Sequence, residues 1–198
     1  PTVVALVGDE MVMALAREYV AVHPPVVTTL LLYGEHFPAW LDAHQSATGL
    51  DYLADFARLD CAWMFSYFAP DEGTLDAQWV QSRTENDVVA TRKVTLAAHV
   101  QRVDTRYAVL EAWAVLKEQG ALGDRVELDA GLTRNVLWRT DEKIRFVAVD
   151  EAHAAFLDTL GVETTLGEAV SNATGIDENY DVATNFARLL TEGYLVSR

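Results

Sequence analysis

The stretch from Asn135 to the C-terminus constrains the fold most strongly. Two segments that alternate apolar and polar residues, 135–140 and 144–149, flank the polar turn 141–143, and three short helical patterns follow. Alternation with a period of two indicates half-buried strands. The pattern therefore predicts a β-hairpin followed by three helices, which is the outline of a small winged-helix module. Such a module binds a nucleic-acid groove through a helix or an extended peptide through its sheet edge.

The charge of the chain favours the second of these two uses. There are 30 acidic residues against 15 lysines and arginines, which gives a net charge of −15. Affinity for nucleic acid depends on clustered lysine and arginine side chains that neutralise phosphates. An acidic surface instead favours basic partners, including basic peptides.

Length and composition predict a soluble, cytoplasmic protein with two small cores. The chain has 198 residues, 51% of them hydrophobic, but its apolar runs are far shorter than the roughly 20 residues of a spanning helix. No basic-then-apolar secretory leader is present. The single cysteine, Cys61, fits a reducing compartment. The chain begins with Pro1 in place of Met, which suggests that further residues precede it. A targeting segment among those residues stays an open alternative.

Residues 1–70 are predicted to form a helical module. Apolar positions recur at helical spacing over 10–22, and the sequence His23-Pro24-Pro25 ends that helix because proline cannot continue it. A second helical pattern begins at Phe37, and a long one covers residues 52–67.

Residues 71–131 are predicted to be a connector with one strand and one longer helix. A turn at 70–73 and a short helix at about 75–80 open it. Residues 94–103 are rich in β-branched and apolar side chains and predict a strand. Residues 106–119 predict a helix that ends at Gly120 as its C-cap.

Residues 132–198 are predicted to be the winged-helix-like peptide-recognition module. Its helices are expected at 151–160, after a capping box formed by Thr165 and Glu168, and after Asp181, with a returning strand at 194–196. The predicted fold class is α+β, mainly α, with the helical module preceding the winged-helix-like module.

The reactive side chains indicate a noncatalytic chain that holds no metal. The five histidines form no His-x-x-His or Glu-x-x-His pair. The nearest approach to a metal site is His36 with His44 and Asp42, for which a solvated pair is the favoured interpretation. Cys61 lies in an apolar helix and is interpreted as a small buried hydrophobe. The chain contains neither a phosphate-binding glycine loop nor a Gly-x-Ser-x-Gly motif.

Two blocks of sequence carry a family resemblance that covers nearly the whole chain. The segments 23–41 and 52–62, the second reading YLADFARLDCA, resemble the N-terminal domain of the BufC/HvfC-type partner proteins, often labelled a DNA-binding domain. The segments 137–139, 165–169 and 186–195 resemble the C-terminal domain of the same family. A compact chain of this kind is most similar to the MbnC-like partner subunits of methanobactin biosynthesis.

The chain also departs from the family pattern in three respects. Asp60 stands where the family usually has Glu. The basic helical segment that commonly precedes the first block is absent, and the connector is short and divergent. A shorter BufC-like relative therefore remains an alternative.

The resemblance implies a noncatalytic subunit that forms a heterodimer with a multinuclear non-heme iron oxidase of the MbnB-like kind. The pair would act in the maturation of a ribosomally made peptide (RiPP maturation), with iron in the partner only. This chain would bind the leader of an MbnA-like precursor peptide, whose cysteines become oxazolone and thioamide groups. In peptide-recognition winged-helix modules an extended leader adds to the hairpin as a strand.

The expected site residues follow from that binding mode. The favoured strand consists of Ile144, Arg145, Phe146, Val147, Ala148 and Val149. The second choice of edge consists of Val136, Leu137, Trp138 and Arg139. The groove wall is expected to be Phe186, Leu189 and Leu190, and the docking face for the oxidase is expected to be Tyr33, Phe37 and Trp40. For these aromatics, packing in the core of their own module is the competing and favoured interpretation.

Two other function classes stay open at this point. A winged-helix transcription regulator would read DNA with residues 165–173 or 181–192, although Arg188 is the single basic residue on those segments. A small metal-dependent enzyme is the third class, and iron in the isolated protein would favour it.

Overall fold

A computed structural model describes residues 1–26, 33–44, 50–82, 89–122, 127–141 and 143–197. The chain divides into two compact units. Unit 1 comprises Pro1–Phe65 and Val103–Asn135, and unit 2 comprises Ser66–Arg102 and Val136–Arg198. The residues predicted as a separate connector are thus shared between the two units. Within the described residues no helix combines the length and the apolar character needed to cross a membrane.

Unit 1 contains four of the described helices. They are α1 (Thr2–Val22), α2 (Phe37–Ala43), α3 (Leu53–Phe68), whose last turn passes into unit 2, and α5 (Leu110–Gln119). The predictions of a helix ending at His23, one starting at Phe37 and one over 52–67 are confirmed. Helix α1 begins earlier than predicted and is interrupted at Gly8, whose φ of 77° is left-handed.

Unit 2 contains the remaining described helices. They are α4 (Ala77–Gln81), α6 (Glu151–Thr159), α7 (Leu166–Ile176) and α8 (Val182–Thr191). Side chains cap all four of them: Asp76 caps α4, Asp150 caps α6, Thr165 and Glu168 form the predicted capping box of α7, and Asp181 caps α8.

The strands form two small sheets. In one, β1 (Val94–Leu96) pairs antiparallel with β5 (Leu195–Ser197), which confirms the returning strand. In the other, the order is β2 (Gln101–Tyr107), β3 (Ala130–Thr140) and β4 (Lys143–Val149). The predicted hairpin is confirmed, because β3 ends at Thr140, β4 begins at Lys143 and the two strands are neighbours in the sheet; Asp141 after β3 has a φ of 50°.

Two predictions for residues 71–131 are wrong in detail. The single strand expected over 94–103 is two strands, because the chain turns at Ala97, whose carbonyl accepts a hydrogen bond from the Val100 amide at 2.9 Å. The helix expected from Arg106 starts at Leu110. Arg106 and Tyr107 belong to β2, where the side chain of Asp55 accepts both of their backbone amides at 2.9 and 3.1 Å.

Each unit has its own apolar core. In unit 1 the buried side chains include Leu15, Tyr19, Trp40, Leu41 and Leu53. In unit 2 the helices α6 to α8, the hairpin and the β1–β5 pair enclose a larger core, whose fully buried members are Val94, Phe156, Leu157, Ala169, Ala173 and Leu195. The chain is therefore a mixed helical and antiparallel-sheet protein.

Candidate functional site

Strand β4 is the outer strand of its sheet within the described residues. The strand order β2-β3-β4 gives it β3 as its neighbour on one side. An edge strand carries backbone N–H and C=O groups that point away from the sheet and can pair with an added strand. The backbone of β4 thus has the arrangement that strand addition requires.

The side chains of β4 divide between the core and the surface. Val147 and Val149 are half-buried and pack against the core of unit 2, whereas Phe146 is 40% exposed. Lys143 and Arg145 are also exposed. An extended ligand along β4 would therefore contact an aromatic ring and two cationic side chains.

The charge near β4 differs from that of the whole chain. Lys143 and Arg145 are cationic, although the chain carries a net charge of −15. The Arg145 side chain approaches Thr140, with Nε 3.3 Å from Oγ1. Exposed Asp141 and Asp150 flank the strand, so its cationic character is confined to the first half of β4. The two cationic residues can be read from the sequence of the hairpin, but the net charge of the whole chain does not reveal them.

The second choice of edge is corrected by the sheet order. Strand β3 lies between β2 and β4 in the strand order, so it is not the outer strand of the sheet. Val136, Leu137 and Trp138 are at most 2% exposed and belong to the interior. The pairing of β2 with β3 joins segments far apart in sequence, and alternation within one strand cannot reveal it.

Arg139 has a structural role in unit 2. Its guanidinium donates to the carbonyl oxygens of Tyr67 and Ala69 at 2.7 and 2.9 Å and to the carboxylate of Asp71 at 2.6 Å. Its backbone amide donates to Nδ1 of His99 at 3.3 Å. Arg139 therefore ties the chain after α3 to the sheet instead of facing a peptide.

The expected groove wall on α8 is corrected at one position. Leu189 is 1% exposed and belongs to the core. Phe186 and Leu190 are half-buried and pack against the same core as Val147 and Val149. Burial of Leu189 follows from the amphipathic stripe of α8, whose centre turns into the unit while its flanks remain accessible. Phe186 and Leu190 remain candidates for the wall of a groove.

The three aromatics expected at the oxidase interface pack within unit 1. The ring of Tyr19 lies 5.9 Å from that of Tyr33, 5.2 Å from that of Phe37 and 5.7 Å from that of Trp40, between centroids. The Tyr33 hydroxyl donates to the carbonyl of His23 at 2.7 Å. Trp40 is 7% exposed, so it stabilises the core and does not present an anchor. Tyr33 and Phe37 are half-buried and also line an apolar cavity of unit 1.

The side chains closest to a metal-binding pattern have other partners. Nδ1 of His44 lies 2.8 Å from the Trp40 carbonyl, and His36 lies 3.5 Å from the carboxylate of Glu35. Asp42 forms ion pairs with Arg58 and with Arg106. Among the residues that the structure describes, no three His, Cys, Asp or Glu side chains form a group able to hold a metal ion.

The sequence patterns did not identify three polar anchors, which are Asp60, Asp55 and the pair of His153 and Tyr180. The carboxylate of Asp60 accepts from the amide and hydroxyl of Thr2, both at 2.9 Å, and from the indole of Trp113 at 3.1 Å. Asp55 is fully buried. In unit 2, Nδ1 of His153 lies 2.7 Å from the Tyr180 hydroxyl. Desolvation lowers the pKa of His153 and raises the pKa of Tyr180, so both are neutral near pH 7.

Comparisons with known proteins do not assign a family. Neither the protein-family models nor the curated proteins contain a match to this chain.

Proposed function

We propose that this chain is the noncatalytic partner subunit of an iron-dependent peptide-modifying oxidase, and that it binds the leader of a ribosomal precursor peptide along β4. The observation that carries the proposal is the position of β4 at the edge of its sheet, directly before three helices. An added strand satisfies open backbone groups at such an edge, and pockets for alternate side chains supply selectivity.

The order of elements in unit 2 supports a winged-helix-like peptide-recognition module. The hairpin of β3 and β4 is followed by α6, α7 and α8. Phe146, Phe186 and Leu190 offer partly exposed apolar surface on the same unit. The resemblance of the sequence to the MbnC-like subunits adds the substrate class, a precursor peptide of methanobactin type, and the MbnB-like oxidase as the partner.

Charge weighs against the alternative of a DNA-reading module. Arg188 is the single basic residue of α8, and its Nε donates to Glu192 at 3.2 Å. Helix α7 contains none. A recognition helix in the major groove needs side chains that contact phosphates and base edges.

Co-expression with the products of the neighbouring genes tests the complex. The proposal expects a stable heterodimer with an iron-containing oxidase, and conversion of the precursor that requires both proteins. Failure of the oxidase to co-purify, or full precursor conversion without this chain, would refute the partner role.

A proline scan of β4 tests the binding mode. Alternate residues of an edge strand direct their N–H groups towards the neighbour and towards open solvent. Proline removes the N–H group, so the variants Arg145→Pro, Val147→Pro and Val149→Pro form one class and Phe146→Pro and Ala148→Pro the other.

The two classes control for each other. The variants whose lost N–H group pointed towards β3 should have a lower melting temperature, because they lose a hydrogen bond of the sheet. The class facing the open edge should keep the fold and weaken binding of a fluorescently labelled leader by about tenfold, which corresponds to ~1.4 kcal/mol. Unchanged leader affinity in all five variants, with the fold retained, would show that β4 is not the site.

A further inference from the structure

Unit 1 contains a cavity of about 510 Å³ that no step of peptide binding uses. Its walls come from both segments of α1, with Val3 and Val4 before the interruption at Gly8 and Val12 and Ala16 after it. A continuous straight helix would separate these residues by about two turns along one axis. The change of direction at Gly8 lets both segments line one space.

The remaining walls come from three other segments of the same unit. Tyr33 and Phe37 contribute aromatic rings, Cys61 and Met64 contribute sulfur-containing side chains from α3, and Lys117 contributes its stem from α5. The volume falls within the range of about 300–1,000 Å³ that is typical of small-molecule sites.

The charged side chains of the wall have partners within the protein. Asp60 accepts hydrogen bonds from Thr2 and Trp113. The Lys117 ammonium lies 3.9 Å from Oδ1 of Asp60 and 3.7 Å from the centre of the Trp63 ring. The N-terminal ammonium of Pro1 also lines the cavity and lies 2.9 Å from Oδ2 of Asp60, so both cations of the wall are paired with the same carboxylate.

This wall selects against charged ligands. A carboxylate or ammonium group that entered would lose its hydration and would compete with Asp60 or Lys117 for partners already in use. A neutral apolar molecule loses little on entry and gains contact with aliphatic, aromatic and sulfur-containing groups.

We propose that this cavity is a binding site for a neutral, hydrocarbon-like small molecule that carries at most a hydroxyl or carbonyl group. Binding there would be a second function of the chain, located in unit 1 and separate from the leader recognition proposed for unit 2. Filling the cavity removes apolar surface from water and therefore stabilises unit 1 in proportion to occupancy.

Three probes of equal chain length test the chemical class on the intact chain. The assay follows displacement of the neutral dye N-phenyl-1-naphthylamine by 1-decanol, decanoate and decylammonium, each below its micellar range. We expect saturable binding of one dye per chain and displacement by the alcohol at concentrations at least about tenfold lower than by either ion. Equal or tighter binding of an ion, or the absence of saturable binding, would overturn the proposal.

Two substitutions on α1 test the location. Ala16 is half-buried and lines the cavity, whereas Ala14 is exposed on the same helix. Ala16→Phe fills the space and should weaken decanol binding at least about tenfold. Ala14→Phe adds the same ring outside the cavity and should leave it unchanged. Equal decanol affinity in the two variants would place binding elsewhere.

Cys61 provides a readout that needs no variant. It is the single cysteine and lines the cavity, and burial raises its pKa to about 11, so its reaction with the neutral reagent 4,4′-dithiodipyridine is slow enough to time. Saturating decanol should slow this reaction at least about fivefold, because the ligand occupies the approach to the thiol. An unchanged rate would overturn the proposal even if Ala16→Phe did not fold. Loss of oxidase binding in Ala16→Phe without any effect on decanol would instead identify the cavity as a protein contact.

Discussion

Replacement of Asp55 with Ala should destabilise unit 1 more than any surface substitution. The Asp55 side chain is 0% exposed. Its Oδ2 accepts the backbone amides of Arg106 and Tyr107, and its Oδ1 pairs with the guanidinium of Arg58. Asp55→Ala removes the acceptor of two backbone N–H groups and one of the two carboxylate partners of Arg58, which keeps its ion pair with Asp42. A backbone donor left without its acceptor inside the protein costs ~1–3 kcal/mol, so the loss of two such bonds should cost ~2–5 kcal/mol of a total stability of ~5–15 kcal/mol.

The amide variant divides this cost into two parts. The single carbonyl oxygen of Asp55→Asn can still accept both backbone amides, but its NH2 group faces the Arg58 guanidinium. We expect a loss of ~1.5–3 kcal/mol, the range for hydrogen bonds to charged groups. The control is Asp104→Asn on the exposed face of β2, which should change stability by no more than ~0.5 kcal/mol.

Urea unfolding followed by circular dichroism and tryptophan fluorescence measures these differences. Trp40, Trp63 and Trp113 report on unit 1, and Trp79 and Trp138 report on unit 2. Two transitions would assign the loss to one unit directly. The reasoning is refuted if Asp55→Ala lies within about 1 kcal/mol of the natural protein, or if the Asn variant loses as much as the Ala variant.

The remaining predictions concern His99, His153 and Thr165 in unit 2 and Gly120 in unit 1. Desolvation lowers the pKa of His153 and of His99 below 6.5 in the fold, so the unfolded chain binds protons that the folded chain does not. The free energy of unfolding should therefore have its full value above about pH 7.5 and decrease as the pH drops towards 5. His153→Gln should make this decrease shallower. An identical dependence on pH in urea titrations of the variant and the natural protein would contradict the prediction. Thr165→Ala removes the N-cap of α7, whose backbone partner is Glu168, and should cost ~1 kcal/mol, whereas Thr165→Ser should retain most of the stability in the same titrations. Gly120→Ala places a side chain at a φ of 73° in open space and should cost ~1–2 kcal/mol from backbone conformation alone, which a shift of the thermal midpoint would reveal.

Local sequence signals predicted the local structure well. The capping box at Thr165 and Glu168, the cap at Asp181 and the left-handed C-cap at Gly120 all form as expected. Each depends on residues a few positions apart, so the sequence contains both partners of the interaction. The hairpin turn at Asp141 is predictable for the same reason.

Predictions that depended on distant contacts were less accurate. Residues 106 and 107 directly precede a helical pattern in the sequence, but they belong to a strand. Their backbone amides donate to Asp55, which lies 51 and 52 positions earlier in the chain. The choice between β3 and β4 as the outer strand depends on β2, which pairs across a long insertion. Alternation identifies the two faces of a strand but not its neighbours, so the sequence could propose an edge without deciding which strand provides it.

The cavity shows why apolar periodicity alone does not distinguish a packed core from a binding site. Its walls come from residues between Pro1 and Lys117, and the helical stretches among them have the spacing expected of a helix that faces a core. Spacing reports which side chains avoid water, and it is the same whether they contact one another or surround a space. The interruption of α1 at Gly8 changes the direction of one wall without altering the apolar pattern on either side. A glycine within an apolar helical pattern, where the backbone is free to adopt a positive φ, is therefore the sequence signal that bears on the cavity.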